Sequence, residues 1–122
     1  MNHLPEELVK EPYCYLTTTC RVTGSPYTIE IWFGADPSAA RIFLLSGGGD
    51  RSDWVKNLLA SERVHLRIGE REWDTKAHVV HDPAQDQLAR EALATKYQGW
   101  HEGEPRSEWA RTALPIVIEI PD

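Results

Sequence analysis

The sequence is poor in features that would direct the chain to a membrane or link it covalently. No stretch approaches the ~20 apolar residues that a membrane-spanning helix needs, and the first residues lack the basic start and apolar run of a signal peptide. The two cysteines, Cys14 and Cys20, fall on one predicted strand, where a rise of about 3.3 Å per residue separates their Cα atoms by about 20 Å. We therefore expect a cytoplasmic protein without a disulfide bond between them.

Positive charge is also scarce, since 13 lysines and arginines stand against 19 aspartates and glutamates, and the net charge is −6. This balance argues against a nucleic-acid partner or an anionic membrane surface, so any anionic ligand must be held by a local site. Among the histidines, only His78 and His81 lie near each other. Their three-residue offset on a strand puts them on opposite faces, so no metal site is expected.

The 122 residues do contain enough sequence for one domain, which we assign to residues 1–122 with 1–12 as an N-terminal extension. Runs rich in β-branched and aromatic residues predict six strands, at residues 13–19, 26–33, 41–45, 63–68, 72–80 and 115–120. Apolar residues at helical spacing predict two main helices, at 51–60 and 83–98, whereas 34–40 is predicted as a turn and 100–113 as irregular. This order predicts a mainly β fold with α, a mostly antiparallel sheet or small barrel of about six strands.

The junction between the third strand and the first helix reads Ser-Gly-Gly-Gly-Asp-Arg-Ser-Asp-Trp from Ser46 to Trp54. Glycines let a ligand approach the backbone closely, and the first free N–H groups of a helix, with the positive end of its dipole, favour an anion. The loop matches neither the Walker A nor the G-x-G-x-x-G motif, so neither a nucleotide-triphosphate enzyme nor a Rossmann domain is indicated. It suits an anion site, or a plain turn in which Ser52 or Asp50 caps the helix.

Two motifs together resemble one known family. Residues 16–24, LTTTCRVTG, form a threonine-rich hairpin, and residues 46–58, SGGGDRSDWVKNL, open a Trp-x-x-Asn-Leu helix. On these motifs the chain resembles the deazaflavin-dependent nitroreductases, which use coenzyme F-420 on a split β-barrel related to FMN-binding proteins. The resemblance implies an oxidoreductase that transfers a hydride from reduced coenzyme F-420 to a small nitro, quinone or enone acceptor, and it implies a homodimer.

The resemblance also assigns residues to the site. In the family the first hairpin and the glycine loop converge on the cofactor phosphate, which implies cofactor binding by Arg21, Thr23, Ser46, Gly47, Gly48, Gly49, Arg51, Ser52 and Trp54. Arginine forks and hydroxyl groups suit phosphate oxygens. By the same resemblance Tyr97, Trp100 and Trp109 line the substrate pocket, or else are core or dimer contacts. The proton for the product would come from Tyr97, His101 or solvent.

Three positions depart from the family's usual hairpin, which reads Gly-Arg-Lys-Thr-Gly followed by a basic residue. Cys20, Val22 and Ser25 stand where the first glycine, the lysine and that basic residue are usual, so two cations are missing. Coenzyme F-420 carries an anionic glutamate tail besides its phosphate, whereas FMN carries a single phosphate and needs fewer cations. The sequence therefore leaves two alternatives open, an FMN-binding split-barrel oxidoreductase and a noncatalytic carrier of a flavin or deazaflavin.

Overall fold

The structure is a computed structural model that describes residues 4–36 and 38–121. Within these residues the elements are α1 (Glu6–Val9), β1 (Cys14–Thr19), β2 (Pro26–Ile31), β3 (Gly34–Ala35), β4 (Arg41–Ser46), α2 (Asp53–Ala60), β5 (Arg63–Ile68), β6 (Arg71–Val79), α3 (Pro83–Gln98), α4 (Glu108–Thr112) and β7 (Leu114–Glu119). The strands form one sheet in the order β2-β1-β5-β6-β7-β4-β3. Every neighbouring pair in this sheet is antiparallel.

The sheet curls so that its two edges approach each other. β2 and β3 occupy opposite ends of the strand order, yet only Trp32 and Phe33 separate them along the chain. Three Cα–Cα steps of 3.8 Å cover at most about 11 Å, so the two edges must lie close together. This confirms the predicted fold class, a mostly antiparallel split barrel with two main helices.

The predicted turn at residues 34–40 is wrong in part, because a short strand begins there. Gly34 and Ala35 form β3 by pairing with Phe43 and Ile42 of β4. Gly34 fits beneath α3 only because it has no side chain, since a Cβ there would lie 2.8 Å from the Cβ of Ala92. The close approach of Gly34 to α3 leaves no periodic signal in the local sequence. The glycine therefore predicted a turn, and the short strand was missed.

Two hydrophobic clusters meet at β4, which is buried on both faces. Ile42 and Leu44 point into the barrel interior, where they pack with residues from β1, β5, β6, β7 and α2. Phe43 and Leu45 point outward and belong to a second cluster with Leu93 of α3. Alternation along one strand therefore fills the barrel and also supports the outer helical layer.

The two main helices lie close to their predicted positions. α2 begins at Asp53, two residues later than predicted, because Gly49–Arg51 forms a separate 3-10 turn. α3 spans the predicted residues and begins after the cap residue Asp82. It ends at Gly99, whose left-handed φ of 63° is typical of a helix C-terminus.

The sequence does not predict α4, which lies in the segment expected to be irregular. Ser107 begins this helix by accepting a hydrogen bond from the backbone N–H of Ala110 at 3.1 Å. Arg90 of α3 donates to the carbonyl oxygens of Ala110 and Ala113 at 3.1 and 2.8 Å, which satisfies acceptors at the end of α4. A five-residue helix has too little periodicity to be recognised in the sequence. Its last carbonyl groups are bonded by Arg90, which lies far away in the sequence.

The N-terminal segment is held against the rest of the fold at two points. Leu8 of α1 is buried in the barrel cluster. Farther along, Lys96 of α3 donates to the carbonyl oxygen of Glu11 at 2.7 Å. None of the helices in the described part of the chain is long and apolar enough to cross a membrane.

Candidate functional site

The glycine loop between β4 and α2 is organised by two serine hydroxyls. Ser46, which is buried at the end of β4, donates to the carbonyl oxygen of Gly49 at 2.9 Å, and its Oγ lies 3.0 Å from the Oγ of Ser52. A hydroxyl has one proton, so Ser52 must be the donor in the second bond. Both protons are therefore used inside the loop, and the two serines shape the backbone around Gly47 and Gly48.

Two of the three glycines are required by the conformation of this loop. A Cβ on Gly48 would lie 2.4 Å from the Oγ of Ser52, so a side chain there would displace the hydroxyl that bonds Ser46. Gly49 has a φ of 63°, the left-handed region that favours glycine. Gly48 is exposed, so its backbone is open to a ligand, while Gly49 makes the turn.

The start of α2 has no side-chain cap. Ser52 occupies the N-cap position with extended backbone angles, but its hydroxyl turns to Ser46 and accepts no bond from the helix. The prediction that Ser52 or Asp50 caps the helix is therefore wrong, because the loop uses the serine hydroxyl. The first N–H groups of α2 keep their hydrogen-bonding capacity, and they lie at the positive end of the helix dipole.

Arg21 connects the first hairpin to α2. Its Nη1 donates to Asn57 Oδ1 at 2.8 Å, and its Nη2 donates to Asp53 Oδ1 at 3.2 Å. Asn57 is 1% exposed and donates in turn to Thr18 Oγ1 at 3.1 Å, so this contact extends into β1. The structure thus brings Arg21 to the helix that follows the glycine loop, and it also gives the guanidinium a positioning role there.

The tip of the first hairpin presents small polar groups. Thr23 Oγ1 accepts a hydrogen bond from the backbone N–H of Ser25 at 3.2 Å, which fixes the turn. Hydrogen bonding by Thr23 also lowers the pKa of the Cys20 thiol. Val22, at the position where the family has lysine, is 82% exposed. The hairpin tip thus lacks the cation that the family motif would supply.

Arg51 lies in the 3-10 turn between the glycines and α2. Its side chain is exposed, and within residues 4–36 and 38–121 it has no ion pair or side-chain hydrogen bond. By contrast, Arg21 is already bonded to two side chains. Arg51 is therefore a cation near the glycine loop that is available to a ligand.

An aromatic cluster lies beside the glycine loop and includes a residue that the sequence did not assign to the site. Trp32, in the two-residue link between β2 and β3, stacks on Tyr97 with ring centroids 4.3 Å apart and an interplanar angle of 4°. Trp109 meets Trp32 edge-on at 5.6 Å, and a Cβ on Gly47 would lie 3.3 Å from Trp109 Cδ1. Trp32 is 37% exposed. The sequence did hold one sign of this role, because Trp32 is a large aromatic residue on the otherwise polar face of the predicted strand at residues 26–33.

The hydroxyl of Tyr97 is bonded to the backbone of Phe33, in this link, and of Pro12, just before β1. It accepts from Phe33 N at 3.1 Å and lies within donating distance of the carbonyl oxygens of Pro12, at 2.9 Å, and Phe33, at 3.0 Å. Burial raises the pKa of Tyr97 to about 12. These contacts favour a positioning role for Tyr97, so its assignment as a proton donor stays a prediction without geometric support.

The side chains of three other predicted residues make their contacts elsewhere. Trp54 is 7% exposed and packs in the barrel core. Trp100 donates from Nε1 to the carbonyl oxygen of Glu104 at 2.9 Å, and the exposed His101 donates its backbone N–H to Glu104 Oε1 at 2.7 Å. The structure therefore joins the glycine loop with Arg21, Tyr97 and Trp109, and it places Trp100 and His101 in the turn after α3.

The curled antiparallel sheet places the chain in the class of split-barrel proteins, and the glycine loop gives it a place suited to a phosphate-bearing ligand. The model of the F420H(2)-dependent quinone reductase family matches residues 3–121. The chain belongs to this family. It is an oxidoreductase whose cofactor is coenzyme F-420.

Solved structures share the fold at low sequence identity. An F420-H2 dependent reductase is 15% identical with a TM-score of 0.66, over 98% of this chain and 99% of that chain. A FAD-binding protein from Mesorhizobium loti is 17% identical with a TM-score of 0.62, over 94% and 85% of the two chains. A third protein, described as a domain-swapped dimer, is 18% identical with a TM-score of 0.60, over 88% and 80%. Likeness at these identities establishes the fold alone.

Proposed function

We propose that the protein transfers a hydride from reduced coenzyme F-420, held by its phosphate at the glycine loop, to a small quinone, nitro or enone acceptor. The observation that carries the proposal is the open start of α2, whose first N–H groups have no side-chain cap and follow three glycines. Free backbone donors at a helix N-terminus favour an anion such as a phosphate. Family membership supplies the identity of the cofactor.

The residues around the loop fit such a phosphate. Gly48 is exposed and bare of a side chain, so phosphate oxygens can reach its backbone. Arg51 offers an uncommitted guanidinium fork, which is suited to bidentate contacts with phosphate oxygens. Arg21 orients α2 through Asp53 and Asn57, and it adds positive charge close to Asp53 at the start of the helix.

Once bound, the reduced deazaflavin ring supplies the hydride. The chain's own part is to orient ring and acceptor and to exclude water. Trp32 supplies an exposed planar surface next to the glycine loop, and Tyr97 and Trp109 fix its orientation. We assign these three residues to the wall of the substrate pocket, with the product proton coming from solvent.

An FMN-dependent reductase is the second candidate, and the small number of free cations favours it. Arg21 is engaged with α2, while Val22 and Ser25 are uncharged, so Arg51 stands almost alone near the phosphate. A single phosphate needs less positive charge than a phosphate with a glutamate tail. The fold relative that binds FAD is consistent with a flavin on this barrel. A noncatalytic carrier would bind either cofactor and reduce no acceptor.

We also propose that the protein is a homodimer. Tyr13 and Trp32 are large apolar side chains that remain 41% and 37% exposed at the ends of β1 and β2 where Cys14 pairs with Ile31. A patch of this kind is typical of a surface that a partner covers. A fold relative described as a domain-swapped dimer supports the idea. A dimer mass in light scattering at micromolar concentration is the expected result, and a monomer mass contradicts it.

Tryptophan fluorescence titrated with oxidised coenzyme F-420, and in parallel with FMN, tests the cofactor assignment because Trp109 contacts the glycine loop. We expect quenching at micromolar concentrations of the deazaflavin, weakened about tenfold in Arg51→Gln. Arg71→Gln removes the same charge from the exposed start of β6 and should leave the affinity unchanged. If neither cofactor binds, the proposal is contradicted. If FMN binds more tightly than coenzyme F-420, the second candidate is selected.

Turnover identifies the acceptor. Purified protein with reduced coenzyme F-420 is offered a quinone, a nitroaromatic and an enone, and oxidation of the cofactor is followed by its absorbance. We expect at least one of these acceptors to be reduced catalytically. Tight binding without reduction of any of them would assign the chain to the carriers instead.

A further inference from the structure

A second group of cations lies away from the glycine loop, on the outer side of α3. A groove of about 480 Å³ runs between the first half of α3 and the segment that leads into α4. We call it the arginine groove, because its walls carry Arg90, Arg106 and Arg111 together with His81 and Asp86. None of the glycine-loop residues borders it.

The three guanidinium groups have fewer acidic partners than their charge requires. Arg90 is satisfied, since its Nε donates to Asp86 Oδ1 at 2.6 Å and its Nη1 to the carbonyl oxygens of Ala110 and Ala113. Arg111 donates from Nε to the carbonyl oxygen of Arg106 at 3.2 Å. No carboxylate of the described residues pairs with Arg111.

Arg106 is the least satisfied of the three. Its Nη1 is buried and has no hydrogen-bond acceptor among the described residues. The nearest carboxylate oxygen, Glu91 Oε2, is 4.0 Å away, which is within ion-pair range but too far for a hydrogen bond. That oxygen already accepts a bond from Gln87 Nε2 at 2.8 Å. The positive charge of Arg106 is therefore only partly compensated by the chain itself.

Such a cluster is unexpected in a chain with a net charge of −6. Asp86 compensates Arg90, but Arg106 and Arg111 remain as two like charges that repel each other across one groove. Arginine forks match the oxygens of phosphate and carboxylate groups. An anion in the groove would compensate Arg106 and Arg111 together.

We propose that the arginine groove binds a compact dianion, a phosphate monoester or a dicarboxylate, at a site separate from the cofactor phosphate. Arg111 and Arg106 hold the anion, and Arg90 keeps α4 in place beside α3 through its bonds to Ala110 and Ala113. Trp109 on α4 packs against Gly47 of the glycine loop. Anion binding in the groove thus acts on the helix that contacts the cofactor site.

Two-dimensional NMR spectra of the intact protein, titrated with inorganic phosphate and separately with malonate, test the proposal. We expect saturable shifts of the Nε–Hε resonances of Arg106 and Arg111 with at least one probe. The probe that binds more tightly tells a phosphate site from a carboxylate site. Affinity should fall at least fivefold in Arg111→Gln and recover in part in Arg111→Lys, which keeps the charge without the fork.

The matched control is Arg71→Gln, which removes the same charge at the exposed start of β6 and should leave the groove titration unchanged. Arg106→Gln is a second test at a partly buried position, and Arg111→Gln decides the matter if Arg106→Gln proves unstable. Shifts confined to residues 47–55 would place the anion at the glycine loop and overturn the proposal. So would the absence of saturable binding, or an equal loss of affinity in Arg71→Gln.

Discussion

The starts of α2 and α3 are built from similar residues but are finished differently. Each helix follows a polar cap residue with extended backbone angles, Ser52 before α2 and Asp82 before α3. The Asp82 carboxylate accepts a bond from Gln85 N at 2.9 Å, so α3 has a side-chain cap. The Ser52 hydroxyl turns instead to Ser46, and α2 has none.

The difference shows what the glycine loop does. A missing cap costs a helix about 1 kcal/mol, so the arrangement at α2 gives up stability. In exchange, the first N–H groups of α2 remain available to an external anion, and the exposed Gly48 leaves room for it to approach. At α3 an aspartate of the chain already occupies the equivalent place. The start of α2 can therefore hold a phosphate, whereas the start of α3 cannot.

The largest expected effect comes from Ser52→Asp, which gives α2 the kind of cap that α3 has. A carboxylate there would accept the free N–H groups and repel the cofactor phosphate, so we expect affinity for the cofactor to fall about thirtyfold, or about 2 kcal/mol. Stability should change little, because the new cap offsets the lost hydrogen bond from Ser52 to Ser46. Fluorescence titration and urea unfolding measure the two quantities.

The control for this change is Ser107→Asp at the capped start of α4, where a carboxylate replaces a hydroxyl that already caps. Cofactor affinity should remain that of the wild type. Equal losses in both variants would mean that any added acid weakens binding, and the contrast between the helix starts would then explain nothing.

Arg21→Ala should produce the next largest effect, this time on stability. The substitution removes the bonds to Asp53 and to the buried Asn57, so we expect the free energy of unfolding to fall by about 1.5 kcal/mol. Arg51→Ala removes an exposed arginine with no such bonds and should change stability by less than about 0.5 kcal/mol. Urea unfolding of both variants checks this, and similar values would contradict the positioning role of Arg21.

Asp82→Ala should remove the cap of α3 and lower the free energy of unfolding by about 1 kcal/mol. Ser52→Ala should cost less, because no cap is lost at α2. Cofactor affinity should not change in Asp82→Ala. A larger stability loss in Ser52→Ala than in Asp82→Ala would show that the Ser46–Ser52 pair matters more than the cap, contrary to this account.

The smallest expected effect concerns pH and sets the conditions for these comparisons. Hydrogen bonds to Asp74 and Glu72 raise the pKa of His65 above its ordinary value of 6.5. Because the folded state then binds the proton more tightly, this contribution is present below pH 6.5 and is lost as the pH rises through the folded pKa. Wild-type stability should therefore fall slightly as the pH rises above about 6.5.

His65→Gln should lose this part of the pH dependence, as measured by urea midpoints at pH 6 and pH 8. His65 lies in β5, so the difference between the α2 and α3 variants should be the same at both values. A pH dependence that survives in His65→Gln would assign it to other groups.

Where local pattern determines structure, the sequence was sufficient. The alternation of Val64, Leu66 and Ile68 predicted a strand whose buried face is the one observed. Likewise the boundaries of α3 followed from Pro83 at its start and Gly99 at its end. The glycine loop was also visible, because three glycines before a helix are a local feature.

The remaining features depend on contacts between distant segments. The hydroxyl of Ser52 turns from its own helix because Ser46, on β4, offers a better partner. Trp32 gains its position from Tyr97 on α3 and Trp109 on α4. No periodicity records such contacts, so both the missing cap and the aromatic cluster required the fold.

The central claim is that an anionic cofactor group binds at the open start of α2 and not at the closed start of α3. Two-dimensional amide NMR spectra titrated with coenzyme F-420 test it directly, since every backbone N–H reports separately. The account predicts large shifts for the amides of Asp53, Trp54 and Val55, and little change for those of residues 84–86. Unchanged amides at the start of α2, with the cofactor bound elsewhere on the barrel, would contradict it.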